Sequence, residues 1–158
     1  MDEVQRSFRA AMREVASPVS VVTAYAAGEP LGATVSAFAS LSMDPPMLLV
    51  SLQRGARLLG ALTVGATFGV NVLTTAQAGL AELFATRGAD KFEGTAWALQ
   101  DGAPRLEGCA AWVALTVADL FTGGDHVVVF GDVIAADADP QADPMVYRAR
   151  VYGGHRPL

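Results

Sequence analysis

The stretch of residues 32–46 constrains the fold of this chain more than any other. It has the sequence G-A-T-V-S-A-F-A-S-L-S-M-D-P-P, in which Thr34, Ser36 and Phe38 alternate with valine and alanines. An alternation of period two predicts a β-strand. The alternation stops at Ser40–Ser42, and two prolines then end the stretch. We therefore expect a strand that leads into a hydroxyl-rich turn.

Two interpretations of this stretch are open. A strand that ends in a hydroxyl-rich turn brings O–H and backbone N–H donors together at one end of a sheet, which suits a polar, anionic or heteroaromatic ligand. The same residues also fit an ordinary half-polar strand that closes with a serine turn. The stretch by itself does not choose between them.

Further turn signals divide the rest of the chain into short strands and helices. Tight turns are indicated at 28–30 and at 122–125, and Thr74 with Gln77 has the spacing of a capping box. The predicted elements are helices over 2–15, 54–62 and 74–86, strands over 19–26, 32–39, 47–53, 67–73, 108–120, 125–136 and 145–152, and an irregular segment over 95–105. Consecutive strands with few helices predict an α+β, predominantly antiparallel sheet or small barrel, in a single domain of residues 1–158.

Charge and composition exclude several classes of protein. The net charge of −5 argues against a nucleic-acid binder, which needs a basic surface. No apolar run is long enough to span a membrane, and the first residues are too polar for a secretory signal. The lone cysteine, Cys109, cannot form an internal disulfide and indicates a reducing compartment. We expect a soluble cytoplasmic protein.

The positive charges are restricted to a few positions. No Lys or Arg lies between Arg105 and Arg148, where seven acidic residues occur. The central part of the chain supplies four candidates for binding an anion: Arg54, Arg57, Arg87 and Lys91.

Common catalytic motifs are missing from the sequence. There is no G-x-G-x-x-G, P-loop, G-x-S-x-G or zinc-ligand spacing, so no metal site is expected. Asp125 and His126 are adjacent, and adjacent strand residues point to opposite faces, so we expect no hydrogen bond between their side chains. A cofactor that carries the reaction would explain the shortage of acid–base groups.

Seven short motifs, in order along nearly the whole chain, resemble the flavin reductase family. They are F-R-A-A-M-R at 8–13, the stretch 32–46, F-G-V-N-V-L at 68–73, L-A-E-L-F-A at 80–85 with Arg87, D-K-F-E-G at 90–94, G-D-H at 124–126 and Y-R-A-R-V-Y at 147–152. The resemblance implies an FMN-binding split barrel with a few flanking helices. It also implies an NAD(P)H:flavin oxidoreductase that uses NADH or NADPH to reduce FMN or FAD and supplies a partner monooxygenase, as a homodimer.

The resemblance assigns roles to individual residues. His126 would be catalytic, and His126 with Tyr152 would hold the nicotinamide. The flavin would be held by Thr34, Val35, Ser36, Ala37, Ser40, Leu41, Ser42, Ser51, Leu52, Gln53, Ala56, Arg87 and Lys91. Many relatives carry Asn near Gln53 and a hydroxyl residue near Ala56, so phosphate contact here would rest on backbone N–H groups or on Arg54 or Arg57.

Structural alternatives stand beside these roles. Arg87 could interact with carbonyls at a helix end, Lys91 could be a solvated loop charge, and His126 and Tyr152 could be structural. Trp97 and Trp112 are expected in the core or an interface, and Cys109 is expected to be a small buried apolar residue. Two other functions are also open: a reductase that keeps its flavin and acts on another acceptor, and a non-catalytic flavin-binding module.

Overall fold

A computed structural model describes residues 1–88 and 90–158 of the chain. Two α-helices occur in this part, α1 (Glu3–Arg13) and α2 (Ala78–Ala85), with short 3-10 helices at Arg57–Ala61 and Thr75–Gln77. The strands are β1 (Ser17–Pro18), β2 (Ser20–Ala26), β3 (Glu29–Val35), β4 (Phe38–Met43), β5 (Pro46–Gln53), β6 (Thr67–Val72), β7 (Trp97–Gln100), β8 (Ala103–Leu106), β9 (Ala111–Gly123), β10 (His126–Ala138), β11 (Met145–Arg148) and β12 (Val151–Gly154).

Seven of the strands form one antiparallel sheet in the order β3-β2-β6-β9-β10-β5-β4. Its two edge strands, β3 and β4, are consecutive in the sequence and are joined by only Ser36 and Ala37. The sheet must therefore curl until its edges meet at these two residues, which we call the seam. A hydrogen bond from the Ser51 amide to the Ala37 carbonyl, 2.8 Å long, ties the seam to β5. The predicted split barrel of antiparallel strands is confirmed.

The inside of the barrel is filled by side chains that alternate along the strands. Val22, Val50, Phe68, Leu115 and Val129 are fully buried there. The β-branched and aromatic residues at alternate positions thus form the inner face that their periodicity predicts. A second apolar cluster, with Phe84 of α2 at its centre, packs outside the barrel and fixes that helix against the sheet.

The hairpin of β9 and β10 confirms the turn predicted at 122–125. Its strands pair from His126 with Gly123 to Ala138 with Ala111. Gly124, with φ +60°, adopts the left-handed conformation that glycine tolerates best. Strand β9 is as long as predicted but lies three residues further along the chain, and β10 is one residue longer than predicted. Two register irregularities in their pairing accommodate the curl of the sheet.

Three local predictions are wrong. Ser40–Ser42 form no turn but lie in β4, where the register shifts at Leu41 in a β-bulge. The segment predicted to be irregular contains the β7–β8 hairpin. The last predicted strand is a hairpin of β11 and β12, and β1 joins it in a separate three-stranded sheet. In each case pairing with a distant or adjacent strand decided the conformation, which local patterns do not report.

Helix α1 begins with the capping box of Asp2 and Gln5, but none of its residues is buried by the described part of the chain. Val4, Phe8 and Met12 are 77%, 64% and 48% exposed. None of the helices in the described residues is long and apolar enough to cross a membrane.

Candidate active site

A cleft of about 1620 Å³ runs along the seam of the barrel. Its walls are β3 with the seam, the end of β5 and the loop after it, the end of α2 and the loop after it, and the β9–β10 turn. The sheet curl brings these four segments together, although they are far apart in the sequence.

Most residues that were predicted to bind flavin line this cleft, together with His126. They are Thr34, Val35, Ser36, Ala37, Ser51, Leu52, Gln53, Ala56, Arg87 and Lys91. Leu52 is 3% exposed and its side chain belongs to the barrel core, so only its backbone is available to a ligand in the cleft.

Four predicted residues do not line the cleft. Ser40, Leu41 and Ser42 lie past the seam, on β4, because the strand continues where a turn was expected. Tyr152 lies on β12, where its ring packs 5.1 Å from that of Tyr147 in the small sheet. The predicted hydroxyl turn is therefore wrong, and the ligand contacts assigned to Ser40, Leu41, Ser42 and Tyr152 stay predictions that the lining of this cleft does not support.

The seam offers the cleft unused backbone donors. Ser36 and Ala37 lie outside the strand ladders and are exposed. Within the described residues, neither of their amide N–H groups donates to another protein atom. Two adjacent free N–H groups can bind carbonyl oxygens or ring nitrogens of a planar heteroaromatic ligand.

Thr34 and Lys91 connect the walls of the cleft. The Thr34 hydroxyl donates to the Ala81 carbonyl of α2 at 2.7 Å. The Lys91 ammonium donates to the carbonyls of Gly32 at 3.2 Å and Phe84 at 2.9 Å, and burial lowers its pKa. Lys91 is therefore not a solvated loop charge: it holds β3 against the end of α2.

The three arginines of the cleft differ in whether they form an ion pair with a carboxylate. Arg57 pairs with Glu29 at 2.8 Å. In the described part of the chain, Arg54 and Arg87 form no ion pair, and Arg87 is exposed. Arg87 is thus available to a ligand anion, to which a guanidinium can donate two parallel hydrogen bonds.

Asp125 and His126 form a hydrogen bond that the sequence analysis did not expect. The Asp125 carboxylate lies 2.7 Å from Nδ1 of His126. The rule of opposite faces fails here because Asp125 belongs to the turn and only His126 to the strand. The hydrogen bond and the nearby charge of His126 hold the pKa of Asp125 below its usual value. The pair fixes the orientation of the imidazole at the rim of the cleft.

The sequence analysis did not predict the aromatic residues that lie in the cleft. Trp112 is fully buried, as expected, but Trp97 lines the cleft. The Phe92 ring stands edge-on to Trp97 at 5.4 Å and to Phe84 at 5.0 Å. Phe92 directly follows Lys91 in the D-K-F-E-G motif, and this was the only signal that could have placed an aromatic group here.

The residues of the cleft fit a flavin. Free N–H groups at the seam suit the polar edge of an isoalloxazine ring, and Arg87 with Arg54 suits a phosphate. A planar ring would lie between β3 and the end of β5, within reach of the imidazole.

Comparisons with known proteins agree with this chemistry. The family profile described as "Flavin reductase like domain" matches residues 12–156. A probable flavin reductase of Rhizobium meliloti is 39% identical over 132 residues, which are 82% of this chain and 42% of that protein. The chain thus spans less than half of that relative.

Two further relatives are matched over more of their length. The HsaB reductase subunit of a flavin-dependent monooxygenase from Mycobacterium tuberculosis is 34% identical, over 88% of this chain and 75% of that protein. The structure of an NADH:FAD oxidoreductase from Streptomyces globisporus, in complex with NAD and FAD fragments, superposes with a TM-score of 0.91 at 31% identity, covering 99% of this chain and 96% of that one.

Proposed function

The chain belongs to the flavin reductase-like domain family, and we propose that it is an NAD(P)H-dependent flavin reductase that supplies a partner monooxygenase. The relatives named as reductase components of two-component monooxygenases support this activity and this type of partner. One structural observation carries the proposal: free backbone donors at the seam, an available arginine and an oriented histidine line the same cleft.

A bound flavin supplies the redox chemistry by accepting a hydride from a reduced nicotinamide. The protein supplies position, because holding two reactants in contact can lower a barrier by about 7–11 kcal/mol without an acid or a base. We assign the polar edge of the flavin ring to the N–H groups of Ser36 and Ala37. These donors also stabilise negative charge that develops on the ring.

We assign the phosphate of the flavin to Arg87, with Arg54 as the second cation. Lys91 acts mainly through the protein, since two of its three N–H groups are directed at backbone carbonyls. It keeps β3 and the end of α2 at a fixed separation, and so positions Arg87 opposite the seam.

His126 is assigned to the nicotinamide. It lines the same cleft as the seam, and its Nδ1 is occupied by Asp125. The other ring nitrogen, Nε2, is left to face a ligand, with the imidazole held in one orientation.

The test is NADH or NADPH oxidation with added FMN or FAD, followed by the absorbance of the reduced nicotinamide. We expect oxidation that depends on flavin. Flavin binding without any oxidation would instead identify a non-catalytic binding module. Flavin that co-purifies with the protein, and turns over only with an added acceptor, would identify a reductase that retains its cofactor.

We also propose that the protein is a homodimer. The apolar side of α1 is exposed, and a second apolar surface lies on the outside of the barrel, where the tilted rings of Phe121 and Phe130 pack with their centroids 4.9 Å apart. Exposed apolar patches of this kind mark interaction surfaces. A twofold axis would let both surfaces be covered by the same surfaces of a second copy.

A further inference from the structure

The cleft extends well beyond the residues assigned to the flavin ring. Its lining follows β3 back from Thr34 to Glu29, a distance of about 17 Å at the usual rise of a strand. Trp97 lies at this end, because it packs against Tyr25, whose partner on β3 is Pro30. Glu93 follows Phe92, which also packs against Trp97, and Arg57 pairs with Glu29. We call this part of the cleft the distal arm: Glu29, Pro30, Leu31, Arg57, Glu93 and Trp97.

The end of α2, which is two residues before Arg87, meets β3 between the seam and the distal arm, because Lys91 donates to the carbonyls of both Phe84 and Gly32. Lys91 contacts Gly32, in the middle of β3, and Phe92, next to Lys91, packs against Trp97. FMN ends at its phosphate, so a mononucleotide bound at the seam leaves the distal arm without a ligand. A dinucleotide continues past its first phosphate through a second phosphate to another nucleoside.

The distal arm has the chemistry of an adenosine site. Trp97 is half-buried, and Phe92 and Tyr25 pack against it with ring centroids 5.4 Å and 6.5 Å away. A tryptophan held in this way provides a flat surface on which a base can stack. Glu29 is 66% exposed even though it pairs with Arg57, so it retains an oxygen that can accept from the amino group of adenine.

We propose that the distal arm binds the adenosine half of a dinucleotide, with Trp97 as the stacking surface. Two dinucleotides carry this group in the proposed reaction, FAD and the nicotinamide donor. The proposal rests on the proposed function only for the identity of these two ligands. It makes Trp97 a residue that selects FAD over FMN, or NADH over nicotinamide mononucleotide.

Binding of AMP to the protein without flavin tests the arm directly. The chain has two tryptophans, and Trp112 is fully buried, so a change in fluorescence reports on Trp97. We expect AMP to quench the wild-type emission in a saturable way and to leave the emission of the Trp97→Phe variant unchanged. Saturable quenching that persists in Trp97→Phe, or no quenching of the wild type, would overturn the proposal.

Affinities measured by calorimetry identify the ligand. In Trp97→Ala we expect the Kd for FAD to rise about tenfold and the Kd for FMN to change less than about twofold. If the nicotinamide donor occupies the arm instead, the KM for NADH rises about as much while that for reduced nicotinamide mononucleotide does not.

Leu99→Ala is the matched control, because Leu99 is on the same strand, is 55% exposed and does not line the cleft. It should leave all four constants unchanged, and circular dichroism should show both variants folded. An active reductase in which Trp97→Ala weakens FMN and FAD equally, or weakens neither dinucleotide, would refute the adenosine site. Absence of any flavin-dependent oxidation in the wild type would instead refute the proposed function.

Discussion

At the scale of single residues, the orientation of His126 depends on one neighbour. The Asp125 carboxylate is its hydrogen-bond partner, and no other side chain of the described residues contacts the ring by a hydrogen bond. We expect Asp125→Asn to lower kcat with NADH by about ten- to a hundredfold, since small errors of position cost rate steeply. His126→Ala should have at least the same effect.

Both variants should bind flavin with the wild-type Kd, because neither side chain is assigned to the flavin. Steady-state kinetics and flavin titration separate the two effects. A loss of flavin affinity with an unchanged rate would contradict the role of His126.

Arg87 is expected to act on flavin affinity rather than on rate. Replacing it with alanine should weaken flavin binding by about 1.5–3 kcal/mol, the usual contribution of a hydrogen bond to a charged group. Titration of FMN measures this, and Arg156→Ala, in the exposed C-terminal segment, is the control. If Arg87→Ala binds flavin with unchanged affinity, Arg87 does not bind the phosphate, and its interaction with carbonyls at the helix end is the remaining interpretation.

Cys109 is expected to be unreactive in the native protein. Burial raises the pKa of its thiol to about 11. The reactive thiolate is therefore about a hundredfold scarcer than for a free cysteine near neutral pH. A thiol reagent should modify the folded protein about a hundredfold more slowly than the protein in denaturant. Equal rates would show that the thiol is exposed.

The raised pKa also affects stability at high pH. As the pH rises, the Cys109 thiol keeps its proton longer in the folded state than in the unfolded state. Its contribution to the free energy of unfolding is therefore fully present below the ordinary pKa of a thiol. It is lost as the pH rises through about 11.

At the scale of elements, Asn71 of β6 fastens the β7–β8 hairpin to the barrel. Its side chain is fully buried, donates to the Val21 carbonyl at 3.1 Å and accepts from the Leu106 amide at 2.7 Å. Removing it leaves the buried Leu106 amide without its acceptor and removes the hydrogen bond to the Val21 carbonyl. We expect Asn71→Ala to lower the free energy of unfolding by about 2–4 kcal/mol.

Denaturant unfolding measures this difference. Gln141→Ala is the control, since Gln141 is exposed and its side chain makes no hydrogen bond within the described residues. It should change the free energy of unfolding by less than about 0.5 kcal/mol. An equal, small effect of both substitutions would show that water replaces the Asn71 contacts.

At the scale of the whole molecule, the proposed homodimer would cover the exposed apolar side of α1. A charge at Phe8, which is 64% exposed, should have little effect on the folded protomer but should disrupt a dimer that covers this side. We expect wild-type protein to sediment as a dimer and Phe8→Glu as a folded monomer. Arg9→Glu, on the same helix but outside the apolar stripe, is the control. A dimer that survives Phe8→Glu would place the interface elsewhere.

The sequence by itself determined the antiparallel α+β class, the hairpin at Gly124 and the chemistry of the family. Periodicity and turn residues act over a few positions, and so these features are visible in local patterns. The flavin assignments for Thr34–Ala37, Arg87 and Lys91 came from the order of the motifs, and they stay predictions, as do the cytoplasmic location and the single domain.

Only the tertiary structure decided what meets in the cleft. The curl of the sheet brings β3 and β4 together at the seam. It places Ser40–Ser42 beyond the seam and Trp97 at the far end of the cleft. The turn places Asp125 against His126, and Lys91 reaches two carbonyls on different elements. These contacts depend on pairing between distant strands and on how far one sheet curls, and no run of neighbouring residues encodes either of them.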